Sequence, residues 1–415
     1  MDLKVKKIKL GNGINLNLIF TDKFKSNLLS YYIIRPLNRE DVTKNALLPL
    51  VLKRGNEKLN TTLEIEQFLD EMYGANLSLT VNVIRFTIEW ADGKYFNDNS
   101  YNLQTVDLLR TIVFNPYLEN NVFSKSYVSQ EKENLRDKIE GKINDKRSYA
   151  VNRCIEEMCK SEDFSLYSLG YVEDLSSIDE KNLYEYYKSV LNNSPIELIY
   201  VGKYDETLIN HIIENNKFNR EDILHISREK IDYEVNNVNV VKENLDVNQG
   251  KLVLGYRTGI PFEEKLYNGL LIASDILGGG PNSKLFKHVR EENSLAYYIV
   301  SMVIKYKSIL LIDGGIEFEN YNKTIKIVSE QIEKMKNGDF TDDDIEISKK
   351  TIKSSTESIK DSIFLISEFF FSQGLANDDR SLEEVLIDMD NVTREDIIRA
   401  SKQIALDTIY FMENK

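Results

Sequence analysis

The feature that most constrains this chain is an order of elements that occurs twice. In the first half, alternating apolar and polar residues mark strands at Ile14–Phe20, Asn27–Ile34 and Leu77–Trp90. Between the last two lie an apolar helical stretch, Leu47–Leu52, a turn at Gly55 and a second helix. That helix opens on Thr61 with Glu64 in capping-box spacing, carries Ile65, Phe68, Leu69 and Met72 at helical period, and meets a C-cap at Gly74. A helical region spans about Phe123 to Lys160, and a strand at Ile196–Gly202 closes the half.

The second half offers a strand at Lys251–Arg257 and an apolar helix, Leu270–Leu277, ending in Gly278-Gly279-Gly280. A short helix, Ser283–Arg290, leads to strands Leu295–Lys305 and Ile309–Phe318, then to a long helix introduced by Thr341 and Asp344 in the same capping spacing. Gly55 and Gly279 are 224 residues apart, Phe123 and Phe340 217. A matching order at a matching offset predicts a duplicated domain, the alternative being chance recurrence within an α+β chain. The expected fold class is α+β: two homologous domains, 1–220 and 251–415, each a mostly antiparallel sheet packed with helices. The polar stretch 221–250 reads as an interdomain linker, with extended structure around Val235–Val241.

A length of 415 residues also favours more than one core. The 53 basic against 67 acidic residues give a formal charge of −14, which argues against nucleic acid or an anionic membrane as partner. Four lysines within Met1–Leu10 precede no apolar h-region, so no secretory signal is expected. No stretch approaches the roughly 20 apolar residues needed to span a bilayer. Cys154 and Cys159 have neither zinc-knuckle nor C-x-x-C spacing and read as a buried reduced pair. A cytoplasmic location is the expectation.

The three histidines, His211, His225 and His288, lie far apart in sequence and form no H-x-x-E-H or H-E-x-x-H pattern. No zinc ligand set, nucleophile elbow or phosphate loop can be assembled. The segment from Leu277 to Tyr297 is more pointed. Its glycine loop leads into a helix ending at Arg290, and Tyr297 opens the next strand. The two can converge as donors on a peptide carbonyl or a tetrahedral oxyanion. The ordinary alternative is a salt-bridged Arg290 and a core Tyr297.

This segment, with its glycine loop, Ser283-x-Leu285-Phe286, Arg290-Glu291 and Leu295-Ala296-Tyr297, resembles the C-terminal-domain signature of the pitrilysin-like (insulinase and mitochondrial processing peptidase) family. Lys53-Arg54-Gly55, Thr62-Leu63-Glu64-Ile65 and Tyr73-Gly74-Ala75-Asn76-Leu77 resemble its N-terminal domain. The family's inverted H-x-x-E-H motif would fall on Ala46, Pro49 and Leu50. Ala46 and Leu50 stand where the histidine ligands would be, and Pro49 where the glutamate base would be. None of these side chains can ligate zinc or take a proton. The family's third ligand, a glutamate, would fall near Asp137–Glu140. The resemblance therefore implies no cofactor in this chain and zinc in a partner, an H-x-x-E-H-containing family member forming a heterodimer around extended peptide substrate. Arg290 and Tyr297 would be the substrate-side pair, and Gly278, Gly279 and Gly280 would admit the peptide backbone. A catalytically inert structural or peptide-binding scaffold of the same family is the alternative.

Overall fold

The computed structural model describes residues 3–80, 83–96, 100–228 and 230–415. They form two compact α+β units, and neither unit is one continuous stretch of chain. The first comprises 1–141, 166–226 and 359–375; the second comprises 142–165, 227–358 and 376–415.

In the first unit, strands β1 (Lys4–Gly11), β2 (Ile14–Phe20), β3 (Ser26–Ile33), β4 (Asn76–Thr80) and β5 (Ile84–Ala91) join β8 (Ile196–Gly202) in the order β1-β2-β8-β3-β5-β4. A short hairpin, β6 (Leu118–Glu119) with β7 (Val122–Phe123), stands apart. In the second unit, β9 (Asn239–Leu245), β10 (Gly250–Arg257), β11 (Ala296–Ile304), β12 (Ile309–Ile316) and β13 (Ala405–Asn414) run in the order β11-β12-β10-β13-β9. The orders β2-β8-β3-β5-β4 and β9-β13-β10-β12-β11 match strand for strand. In each, the first pair is parallel and the other three are antiparallel. The duplication read from the sequence is therefore present in the topology, with β1 as an addition to the first unit.

Helices follow the local signals. The first unit contains α1 (Val42–Leu52), α2 (Thr62–Glu71), α3 (Ser100–Phe114), α4 (Lys125–Glu140), α6 (Val172–Leu175), α7 (Glu180–Asn193), α8 (Glu206–Asn215) and α12 (Ile363–Ala376). The second contains α5 (Lys146–Met158), α9 (Lys265–Gly278), α10 (Tyr321–Lys336), α11 (Asp342–Glu357), α13 (Leu382–Asp390) and α14 (Arg394–Lys402). Thr61–Glu64 and Thr341–Asp344 both close reciprocal capping boxes. The strand expected over Leu77–Trp90 is two strands, β4 and β5; residues 81–82 lie outside the described residues.

The helical region expected over Phe123–Lys160 is also two elements. It breaks at Gly141, and Asp145 caps a new helix by accepting from Ser148 N. The break carries α5 into the second unit. There Ala150 and Cys154 pack with Val253, Tyr410 and Met412, while Met158 and Cys159 pack with Ile309 and Leu311. The opposite face of the same sheet, Leu252, Leu254 and Ile312, packs with Leu270 and Leu277 of α9. The first unit repeats this arrangement with α12. Leu29, Tyr31 and Ile33 face a core shared with α1 and α3, whereas Leu28 and Tyr32 face Ile363, Ile366 and Phe371. Tyr32 stacks on Phe371 with ring centroids 3.9 Å apart. Each sheet is thus covered on both faces, and its second cover comes from a distant part of the chain. This explains why β3 and β10 are buried almost throughout rather than alternating.

The chain passes between units near 141, 165, 226, 358 and 375, and the division expected at 221–250 meets one of these. Within that stretch, where extended structure is expected around Val235–Val241, 239–245 is strand β9, pairing in parallel with β13.

Candidate functional site

Ala46 and Pro49 are buried on α1, and Leu50 is half-buried. Pro49 sits inside the helix and cannot donate the backbone bond that the turn before it would accept. The position where the resemblance would put the base therefore lacks both a titratable group and an N–H. One of the helices that meet α1 is α4, whose Glu131 is a buried carboxylate. It accepts from Arg54 Nε just beyond α1 and from Asn134 Nδ2 at 3.1 Å. Its charge is compensated by a guanidinium on the same chain. Asp137 and Glu140, on the stretch where the third ligand would fall, are exposed. Among the described residues, no group of three or more His, Cys, Asp or Glu side chains is placed to hold a metal ion. His211 pairs with Asp107 at 2.7 Å and His288 with Glu292 at 2.7 Å.

In the second unit, Arg290 and Tyr297 come together. Leu285 and Val289, four residues apart and fully buried, pin the short helix after the glycine loop. Its last turn, Phe286–Glu291, is a π-helix, with Glu292 N donating to Lys287 O at 2.9 Å. This one-residue widening turns Arg290 outward, next to buried Val289. Ser294 then takes a left-handed conformation, φ 53°, and donates to Arg290 O at 3.0 Å, which reverses the chain into β11. The register of β11 on β12 slips between Ala296 and Tyr298, so Tyr297 is the extra residue of a bulge on an edge strand. A bulge re-aims its side chain, and Tyr297 is 75% exposed.

The Arg290 guanidinium lies 4.7 Å from the Phe286 ring centroid and 5.8 Å from that of Tyr297. It enters no ion pair with another described residue, and the nearby Glu292 is taken by His288. The ordinary alternative of a salt-bridged arginine and a core tyrosine does not describe this pair. Both present polar ends to solvent, and the ring contacts orient the guanidinium without consuming its donors.

The three glycines differ in surroundings. Gly278 is the buried last residue of α9, and a β-carbon there would lie 2.6 Å from Ser301 N on β11. It serves close helix–strand packing. Gly279 is exposed, and a β-carbon on half-buried Gly280 would meet nothing within 4 Å. Sequence reasoning missed the π-turn and the bulge. Neither has a local sequence signal here beyond the crowding of polar residues at Glu291-Glu292-Asn293-Ser294.

No helix among the described residues is long and apolar enough to cross a membrane. Residues 177–352 match the family described as the Peptidase M16 inactive domain. A Bacillus subtilis (strain 168) protein described as probable inactive metalloprotease YmfF is 36% identical over 409 residues, 97% of this chain and 96% of that one. A solved conserved protein from Enterococcus faecalis V583 superposes with a TM-score of 0.89 at 26% identity, covering 99% of both chains. A peptidase M16 inactive domain structure from Pseudomonas fluorescens shares the fold, with a TM-score of 0.82 at 16% identity over 100% of this chain and 99% of that one. With a relative described as a probable inactive metalloprotease 36% identical over 97% of this chain, and residues 177–352 matching the Peptidase M16 inactive domain, the chain belongs to the pitrilysin-like M16 peptidase family, among the members that lack the zinc site.

Proposed function

We propose that this chain is the non-zinc subunit of a heteromeric pitrilysin-like metallopeptidase, binding extended peptide and supplying Arg290 and Tyr297 to a zinc-bearing partner. The observation that carries the reading is the exposed Arg290–Tyr297 pair, aimed outward by a π-turn and a bulge, with no acidic side chain ion-paired to the guanidinium among the described residues. Two costly local departures from regular geometry serve to present two donors, and such departures concentrate where side chains must be aimed. The partner would hold zinc and activate water. This chain's guanidinium and phenol would donate to the scissile carbonyl oxygen and, more strongly, to the oxyanion that forms on it. Exposed Gly279 and the open space beside Gly280 leave room for a peptide backbone.

Co-expression with an H-x-x-E-H-containing family member from the same genome tests the reading. A stable complex that cleaves peptides, while neither chain does so alone, is the expected result. A zinc-bearing partner that cleaves at full rate without this chain would leave the scaffold reading in its place.

A further inference from the structure

In the second unit, the glycine loop forms one wall of a cavity of about 130 Å³, and the first half of α11 forms the other. Such a volume is well below the roughly 300–1,000 Å³ of sites for whole small molecules and suits a single side chain. Asp275 of α9 lines the cavity, and its carboxylate sits between two other lining residues. Oδ1 occupies the space that a β-carbon on Gly279 would need, and the Ser348 hydroxyl hydrogen-bonds to the same carboxylate. Asp275 is half-buried, so it is not sealed in the core. Burial raises its carboxyl above the ordinary value, and among the described residues it enters no ion pair that would counter this. The other lining carboxylate, Asp344, is engaged in capping α11, its Oδ2 accepting from Thr341 N at 2.7 Å. No lysine or arginine among the described residues lines the cavity, and a cleft whose charges are of one sign focuses its field on a counter-ion. Buried Ile276 and exposed Ile347 add apolar surface to it. Apolar walls with one uncompensated carboxylate match a side chain that has a methylene stem and a cationic head.

We propose that this cavity is a subsite for a basic residue of the bound peptide. The stem of a lysine or arginine lies along Ile276 and Ile347, and its cationic head donates to Asp275. The assignment rests on the reading that extended peptide runs beside the glycine loop, and it names the kind of residue that the peptide carries there.

Fluorescence anisotropy of the full chain with two labelled heptapeptides of alternating serine and valine, one with a central lysine and one with norleucine there, tests the assignment. The lysine peptide is expected to bind about tenfold more tightly, the value of one hydrogen bond to a charged group. Asp275→Asn keeps the shape and an oxygen for Ser348 but removes the charge, so it should abolish the preference. Asp343→Asn removes the same charge from the exposed start of α11 and should leave the preference intact, which separates the site from general attraction to a chain of charge −14. Ile347→Arg, at an exposed position, places the chain's own guanidinium in the cavity and should also abolish the preference, with an unchanged melting temperature. Should Asp275→Asn fail to fold, the wild-type comparison and Ile347→Arg still decide. Equal affinity for the two peptides, or a preference that survives Asp275→Asn or Ile347→Arg, would overturn the subsite and leave the peptide-binding reading standing. Binding of neither peptide would overturn both.

Discussion

Arg257 on β10 donates through Nη2 to the Glu162 carboxylate at 2.6 Å, and each side chain is only 5% exposed. Glu162 also pairs with fully buried Lys307, and Arg257 reaches Asp407 at 3.2 Å. The carboxylate lies just beyond α5, so this network fastens the segment 142–165 to the sheet of the second unit. Charges this deep are retained only when each has partners, and removing one strands the others.

Glu162→Ala should therefore destabilise the second unit by about 3–5 kcal/mol, because it leaves Arg257 and Lys307 short of a counter-charge in the interior. The pH dependence has a definite sign. Burial pushes the Glu162 carboxyl up, but the hydrogen bonds and charges of Arg257 and Lys307 outweigh it and hold the group below its ordinary 4.5. A depressed folded pKa contributes stability above the unfolded value and loses it as pH falls through the folded one. Urea midpoints of wild type and Glu162→Gln should thus differ most near neutrality and converge below about pH 4.5. A gap that stays constant on acidification would mean that the carboxylate contributes no pH-dependent stability.

Within the assembled heteromer, Arg290→Ala or Tyr297→Phe should lower turnover by about 10²–10³ if each is a principal oxyanion donor. Both side chains are exposed, so melting temperatures should hold, within about 0.5 kcal/mol of stability. Cleavage rates and melting curves on the same samples separate the roles. Wild-type turnover in both variants would reduce the pair to surface residues.

The purified chain alone should carry far less than one zinc and cleave no peptide. Ala46, Pro49 and Leu50 offer no ligand or base, and buried Glu131 is already neutralised by Arg54. Metal analysis after purification without chelators, together with a peptidase assay, checks this. About one tightly bound zinc per chain with chelator-sensitive cleavage would refute it.

Cys154 and Cys159 should both resist a thiol reagent at pH 8 in the folded protein and react once it is unfolded. Both are buried and unbridged. Burial pushes the Cys159 thiol to about 12, against the opposing influence of Arg257, and raises Cys154 further above its ordinary range. The thiolate is the reactive form, so a raised pKa and burial act in the same direction. Rapid labelling of either cysteine in the native protein would mean that the cover provided by α5 opens readily.

Much of the fold was legible because its signals are local. Strands Ile14–Phe20 and Ile196–Gly202 fall where alternation and apolar runs put them. Gly74 adopts φ +75° beyond α2, a conformation that favours glycine at a helix end. The capping boxes at Thr61 and Thr341 need only residues three apart.

What the sequence could not announce depends on which distant segments meet. The near-continuous burial of β3 and β10 needs two covered faces, and the sequence does not name the cover. Only the tertiary structure assigns α12 to one sheet and α5 to the other. Extended structure around Val235–Val241 was legible, but its partner was not, because the parallel pairing of β9 with β13 joins residues far apart in the chain. The outward aim of Arg290 and Tyr297 rests on one extra residue in a helical turn and one in a strand. Each is fixed by backbone pairing with Lys287 and with β12, not by the identity of the residue that it displaces. Composition, period and spacing determined which elements form. Long-range pairing alone decided which faces are covered and where the Arg290 and Tyr297 side chains point.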